Sequence, residues 1–151
     1  MEIEKKFLLK EMPENLNRYP HSEIEQAYLC AAPVIRVRKK DKDYILTYKS
    51  KGMMVRQEEE FTLTEEAYLH LLKKADGRII TKTRYFIPYD RWTVELDVFH
   101  GAMEPLIMAE VEFETEEEIQ DFVPPKWFGE EVTFDPRYHN VNMALGGNEN
   151  E

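Results

Sequence analysis

Apolar and polar positions alternate along most of this chain with a period of two, the side-chain period of a β-strand. The alternation runs through Glu2 to Leu9, Ile24 to Leu29, Val34 to Lys40, Tyr44 to Lys49 and Met54 to Leu63. It resumes after Gly77 in Arg78 to Ile87, Arg91 to Phe99 and Leu106 to Phe113. These segments predict about eight strands, a number that can close into a barrel. Lys40-Asp41-Lys42-Asp43, Lys51-Gly52, Pro88-Tyr89-Asp90 and Gly101 fall between them and supply residues that tolerate tight or left-handed turns.

Helical spacing is rare. Thr64 reads as an N-cap with Glu65 and Glu66 in the first turn, followed by Tyr68, Leu71, Leu72 and Ala75, with Gly77 placed to end the helix. Thr115 and Glu118 have capping-box spacing ahead of Ile119 and Phe122, and Pro124-Pro125 ends any helix that starts there. A last short helix is expected over Asn142 to Leu145, and residues 146–151 form a polar tail with nothing apolar to bury. One domain over residues 1–145 is the natural expectation for a chain of 151 residues.

Composition narrows the function. A net charge of -10 argues against general affinity for nucleic acid or an anionic membrane, so any phosphate ligand has to meet locally concentrated cations. The single cysteine, Cys30, excludes an intramolecular disulfide, and no Cys/His cluster has zinc spacing. The N-terminus is charged from Glu2 onward and no apolar run has membrane length, so a cytoplasmic setting is expected.

The alternating polar residues are charged far more regularly than a solvated sheet face requires. Glu2, Glu4 and Lys6 share one face of their strand, as do Arg36 and Arg38, then Arg56, Glu58 and Glu60, then Lys82 and Arg84, Glu95 and Asp97, and Glu110 and Glu112. Lys49 stands alone on its strand. The opposite faces carry Ile3, Ile35, Val37, Tyr85, Val94, Leu96, Val98, Val111 and Phe113, which can pack against outer helices and loops. That pattern inverts the usual barrel and puts charge inside. A single sign would be unstable there, whereas mixed signs can pair, hold a polyanion and hold a divalent cation against it.

Glu2-x-Glu4-x-Lys6 resembles the ExExK signature of the CYTH superfamily, the triphosphate tunnel metalloenzymes. Arg36-x-Arg38, Leu46-Thr47-Tyr48-Lys49, Arg56-x-Glu58-x-Glu60, Lys82-x-Arg84, Glu95-x-Asp97 and Glu110-x-Glu112 come in the family's order, so the resemblance covers most of the chain. Asp135-Pro136-Arg137-Tyr138-His139-Asn140 is similar to the C-terminal segment of small bacterial members that hydrolyse inorganic tripolyphosphate. One departure is the short lead-in, since Glu2 directly follows Met1.

The resemblance implies a mainly β fold, an eight-stranded antiparallel barrel around a charged tunnel with a few short outer helices. It implies that Lys6, Arg36, Arg38, Lys49, Arg56, Lys82 and Arg84 bind a triphosphate, and that Glu2, Glu4, Glu110 and Glu112 hold Mg²⁺ or Mn²⁺. Glu58, Glu60, Glu95 and Asp97 become candidates for preparing the attacking water or orienting the cations. The expected activity is metal-dependent hydrolysis of a triphosphate-containing small molecule, foremost inorganic tripolyphosphate, by a monomer or homodimer. A class IV adenylate cyclase, a thiamine- or nucleoside-triphosphate hydrolase and a non-catalytic polyphosphate-binding barrel stand as alternatives. The histidines are scattered, His139 being the one in a family-like segment, and Trp92, Trp127 and Phe128 read as packing anchors.

Overall fold

The computed structural model describes residues 1–146, and the expected polar tail lies outside the described residues from Gly147 onward. The strands are β1 (Glu2–Leu9), β2 (His21–Ala31), β3 (Val34–Lys40), β4 (Asp43–Lys49), β5 (Val55–Arg56), β6 (Glu58–Thr62), β7 (Asp76–Tyr89), β8 (Trp92–Phe99), β9 (Ile107–Phe113) and β10 (Phe128–Glu131). They form one antiparallel sheet in the order β10-β1-β9-β8-β7-β2-β3-β4-β6, with β5 also paired to β1. Two α-helices, α1 (Glu65–Leu72) and α2 (Asn140–Ala144), complete the regular structure with several 3₁₀ turns. None of the described helices is long and apolar enough to cross a membrane.

The barrel closes at a seam. β6 pairs with β4 on one side, while the two residues of β5 pair Glu2 with Arg56 and Ile3 with Val55 on β1. The chain therefore changes partner between Arg56 and Glu58, and the single expected strand from Met54 to Leu63 is two strands broken at Gln57. The other half of β1 pairs with β10, so the same strand serves both neighbours. This is why ten short strands replace the eight expected.

All four expected turns carry a left-handed residue: Asp41 (φ 56°), Gly52 (φ 131°), Asp90 (φ 55°) and Gly101 (φ 64°). Gly77 is left-handed too, but it does not end α1, which gives way at Lys73 in ordinary helical geometry. It opens β7 beneath α2, where an added Cβ would overlap the Ala144 carbonyl and come within 2.8 Å of Leu145 Cα.

The apolar core sits outside the barrel wall. Outward residues of β1, β7, β8 and β9, including Ile3, Ile87, Val94, Leu96 and Val111, pack under Ile119, Phe122 and Trp127. The Thr115 segment covering them is a 3₁₀ turn over Glu116–Asp121 rather than an α-helix, with Thr115 Oγ1 accepting from the Glu118 amide. Glu118 is used elsewhere, since its carboxylate accepts from Trp92 Nε1 at 2.8 Å and from the Glu114 amide at 3.2 Å. A second cluster places Tyr68 of α1 on Ala27 and Val37, with Thr64 capping the helix as expected.

A third cluster closes one end of the barrel. The charged inward rows of β7, β8 and β9 give way to apolar residues at Ile80, Phe99 and Met108, and Tyr28 joins them from the uncharged inward row of β2. Met143 and Ala144 of α2 pack onto them, and α2 begins two residues earlier than expected. The tunnel is thus blind at this end, with a floor of apolar side chains.

Candidate functional site

Inside the barrel lies a polar cavity of about 230 Å³. Fourteen of the fifteen residues expected from sequence line it; the exception is Asp97. Their convergence follows from register: Glu4 faces Glu112, Lys6 faces Glu110, Glu95 faces Glu110, Arg36 faces Thr47 and Lys49 faces Glu58. Each pair points inward because every partner has the same strand parity.

The two signs occupy different walls. Carboxylates dominate β1 and β9, and cations dominate β3 and β7, which flank β2. Two cations are already neutralised at the junction. Lys6 Nζ donates to Glu110 at 2.7 Å and to Glu4 at 3.0 Å, and these partners raise its pKa despite burial. Arg84 reaches Asp97 Oδ1 at 2.7 Å, Glu95 at 3.1 Å and Glu110 at 3.4 Å, and is likewise held firmly charged against burial. Although burial works the other way, Lys6 and Arg84 hold Glu110 well below the usual carboxylate range.

Asp97 lies behind this layer, fully buried, where it also forms an ion pair with Lys82 Nζ at 2.7 Å. It does not reach the cavity surface.

The basic wall is differently placed. Arg38 is 8% exposed and gives its hydrogen bonds to Gln26 Oε1, at 2.8 and 2.6 Å. Arg36 is equally buried, donates from Nη2 to Thr47 at 3.2 Å and leaves Nε unpaired. Among the described residues, neither guanidinium has a carboxylate in salt-bridge range. Burial, with Arg36 and Arg84 nearby, pushes the Arg38 pKa down to about 9, and burial with Arg84 and Arg38 outweighs Asp97 to push Lys82 down to about 7.

The acidic wall has the opposite strain. Burial and then Glu4 raise the Glu2 pKa, and Glu2 Oε1 is buried without a hydrogen bond. Glu112, at the exposed rim, is pushed up to about 7 by partial desolvation and by Glu2, Glu95, Glu4 and Glu58. Burial also raises Glu95, against the pull of Arg84. Among the described residues no three carboxylates already form a closed metal cage. Mutual repulsion and a buried carboxylate oxygen that accepts no hydrogen bond nevertheless suit a hard divalent ion, which needs only one or two protein carboxylates when water and phosphate complete its shell.

Across the seam, Glu2 accepts from Lys49 at 3.1 Å and lies 3.5 Å from Arg56, while Lys49 lies 3.6 Å from Glu58. Glu60 sits exposed at the rim, 3.5 Å from Thr47 Oγ1.

Several lining residues were not anticipated. Lys40 continues the inward parity of Arg36 and Arg38, so the same alternation identifies it. Tyr28 and Asn140 carry no charge pattern and give no such signal. His139 also lines the cavity; its Nε2 meets the Thr133 carbonyl at 2.8 Å, and burial lowers its pKa.

The CYTH domain family matches residues 1–140. An inorganic triphosphatase of Nitrosomonas europaea is 41% identical over 150 residues, covering 95% of this chain and 97% of that protein. An inorganic triphosphatase of Acetivibrio thermocellus is 36% identical over 112 residues, covering 73% and 70%. A crystal structure of an inorganic triphosphatase superposes with a TM-score of 0.71 at 38% identity, covering 96% of this chain and 95% of that one. Family match, near full-length identity and the charged barrel agree, and the chain belongs to the CYTH family.

Proposed function

We propose that this protein hydrolyses inorganic tripolyphosphate to pyrophosphate and phosphate, using Mg²⁺ or Mn²⁺. The observation that carries the reading is the pair of buried guanidiniums, Arg36 and Arg38, without carboxylate partners and facing a crowded wall of carboxylates. Buried cations in that state call for an anion, and the opposite wall calls for a cation. A metal-bound polyphosphate satisfies both. The relatives named as inorganic triphosphatases support this substrate. So does the cavity volume, which falls below the roughly 300–1,000 Å³ of sites that enclose a drug-sized organic ligand.

Arg36, Arg38 and Lys82 take phosphate oxygens, and Lys6 and Arg84, braced by their own carboxylates, hold the walls in register. Lys49 and Arg56 add charge at the seam. Glu2 and Glu112 would be the foremost ligands for the divalent ion, with Glu4 adding the oxygen that Lys6 does not use, while both oxygens of Glu110 are engaged, by Lys6 and Arg84. When bound there, the ion draws charge from the phosphoryl oxygens and acidifies a nearby water.

Of the four carboxylates singled out for the water, Asp97 is a buried counter-ion to Lys82 and Arg84. Glu60 lies exposed at the rim, and Glu58 is turned to Lys49 across the seam, 3.6 Å away. Glu95 combines a raised pKa with a place on the cavity wall, and accepts the proton as water attacks the terminal phosphorus. The bond from that phosphorus to its bridging oxygen breaks, and pyrophosphate leaves with the bridging oxygen. Positioning and charge supply most of the acceleration.

The test is a substrate panel of tripolyphosphate, pyrophosphate, ATP and thiamine triphosphate, assayed with Mg²⁺, with Mn²⁺ and with chelator. Tripolyphosphate turnover abolished by chelator is the expected result. Undiminished turnover in chelator overturns the metal assignment, and cyclic AMP as the main product from ATP overturns the hydrolase assignment.

A further inference from the structure

Asn140 opens α2 at the blind end of the tunnel, and its side-chain orientation is settled by two cations. A guanidinium has donors only, so the oxygen of Gln26 faces Arg38, from which it accepts at 2.8 and 2.6 Å. The Gln26 nitrogen therefore points away and donates to the Tyr28 hydroxyl at 2.9 Å and to Asn140 Oδ1 at 3.2 Å. Lys82 Nζ, another pure donor, gives a second hydrogen bond to Asn140 Oδ1 at 3.0 Å. Reversing either amide would set donors against donors in a place where Gln26 is fully buried and Lys82 is 1% exposed.

With its oxygen so pinned, the NH₂ group of Asn140 faces the other way. Asn140 lines the cavity, and among the described residues its Nδ2 meets no acceptor. The neighbouring Lys82 and Arg38 offer none. The floor next to it, formed by Ile80, Phe99, Met108 and Met143, is apolar. The group therefore opens onto the cavity, where an acceptor oxygen of water or of a ligand can take its hydrogen bond.

We propose that Asn140 is a substrate-binding residue, its NH₂ donating to an oxygen of the terminal phosphoryl group that reaches the blind end of the tunnel. This rests on the tripolyphosphate reading and deepens it. A linear polyphosphate lying along the tunnel ends against Asn140 and the apolar floor, so this position reads an unsubstituted end group. A terminal phosphoryl offers three oxygens there, whereas an organic substituent would meet the floor.

Asn140→Asp separates this role from a structural one, because a carboxylate can still accept from both Lys82 and Gln26 while losing the donor and adding negative charge. Binding of inorganic tripolyphosphate is measured by calorimetry in chelator, KM is measured with Mg²⁺, and each variant is melted without ligand. The expected result is a melting temperature no lower than wild type, with tripolyphosphate affinity weakened on the order of ten- to a hundredfold. Asn140→Ala should weaken binding similarly and also melt earlier, since both accepted hydrogen bonds are lost. Wild-type affinity in Asn140→Asp overturns the proposal, and so does a clear drop in its melting temperature, which would contradict the amide orientation. A wild-type protein that neither binds nor turns over tripolyphosphate overturns the functional reading as well; an active wild type with an unchanged Asn140→Asp variant overturns this inference alone.

Discussion

Replacing Asp97 with asparagine changes one atom type in the wall of the tunnel, and the structure says the consequence is large. Asp97 is fully buried and is held by two cations: it accepts hydrogen bonds from Arg84 Nε at 2.7 Å and Arg84 Nη2 at 2.9 Å, and forms an ion pair with Lys82 Nζ at 2.7 Å. Asparagine fits the space but offers one oxygen and turns an NH₂ group toward donors. Removing one partner of a buried ion pair costs about 3–5 kcal/mol, because the remaining charge stays desolvated and uncompensated. At about 2–4 °C per kcal/mol for a chain of this size, the melting temperature should fall by about 6–20 °C. Asp97 is held below its usual pKa by Arg84 and Lys82 although burial opposes them, so its stabilisation is present above the unfolded carboxylate pKa. It is lost as pH falls through the lower folded value. The difference between variant and wild type should therefore persist at neutral pH and close only in acid. Tripolyphosphate brings negative charge to Lys82 and Arg84, so it should raise the variant's melting temperature by more than the wild type's. Scanning calorimetry with and without tripolyphosphate, in chelator, measures both effects. A variant that melts within about 2 °C of wild type would refute the reasoning; if it also lost all turnover, Asp97 would belong to the chemistry rather than to the wall.

Arg36→Met removes a buried guanidinium whose Nε has no partner, so the melting temperature should hold or rise while kcat/KM for tripolyphosphate falls on the order of a hundredfold. A loss of stability with unaltered kinetics would contradict the substrate role. Glu112, with a folded pKa of about 7 against 4.5 for the free side chain, retains a proton between those values that the unfolded chain releases. Its contribution to stability should be present at acid pH and lost as pH rises through about 7, and Glu112→Gln should flatten that part of the melting profile. Mn²⁺ affinity should strengthen over the same rise, as the carboxylate frees itself for the ion, and parallel wild-type and variant profiles would count against the clustered carboxylates. Gly77→Ala forces a Cβ into the Ala144 carbonyl from a left-handed backbone, so it should lower stability by more than the ~1–2 kcal/mol of the backbone term alone and loosen amide-exchange protection at 140–144.

What was legible in the sequence is the inward row of each strand, because charge recurs at every second residue and the hydrophobic partners keep the opposite parity. The seam was illegible for the same reason. Arg56, Gln57 and Glu58 continue an unbroken polar run, and nothing in it marks the point where the chain leaves β1 for β4. β10 escaped because Phe128-Gly129-Glu130-Glu131 has one apolar anchor; it is held instead by Gly129, whose absent side chain lets it lie against the Leu8 and Leu9 backbone. The division into a basic and an acidic wall depends on strand order, which alternation does not encode. Gln26 and Asn140 are uncharged, so their part in the site emerges only when Arg38 and Lys82 determine which way each amide turns.

The two faces of each strand also answer to different demands. Substitutions at Val94 or Leu96 act on the outer core, while those at Glu95 reach the tunnel, so tolerance to mutation along β8 should itself oscillate residue by residue. Single-codon insertions or deletions are a different matter: one added residue in β8 would deliver its valines to the polyphosphate and its carboxylates to the aromatic cluster. Sequence drift in this barrel can proceed freely by exchange within a face, and lengths of the strands that bear the charges are where it meets resistance.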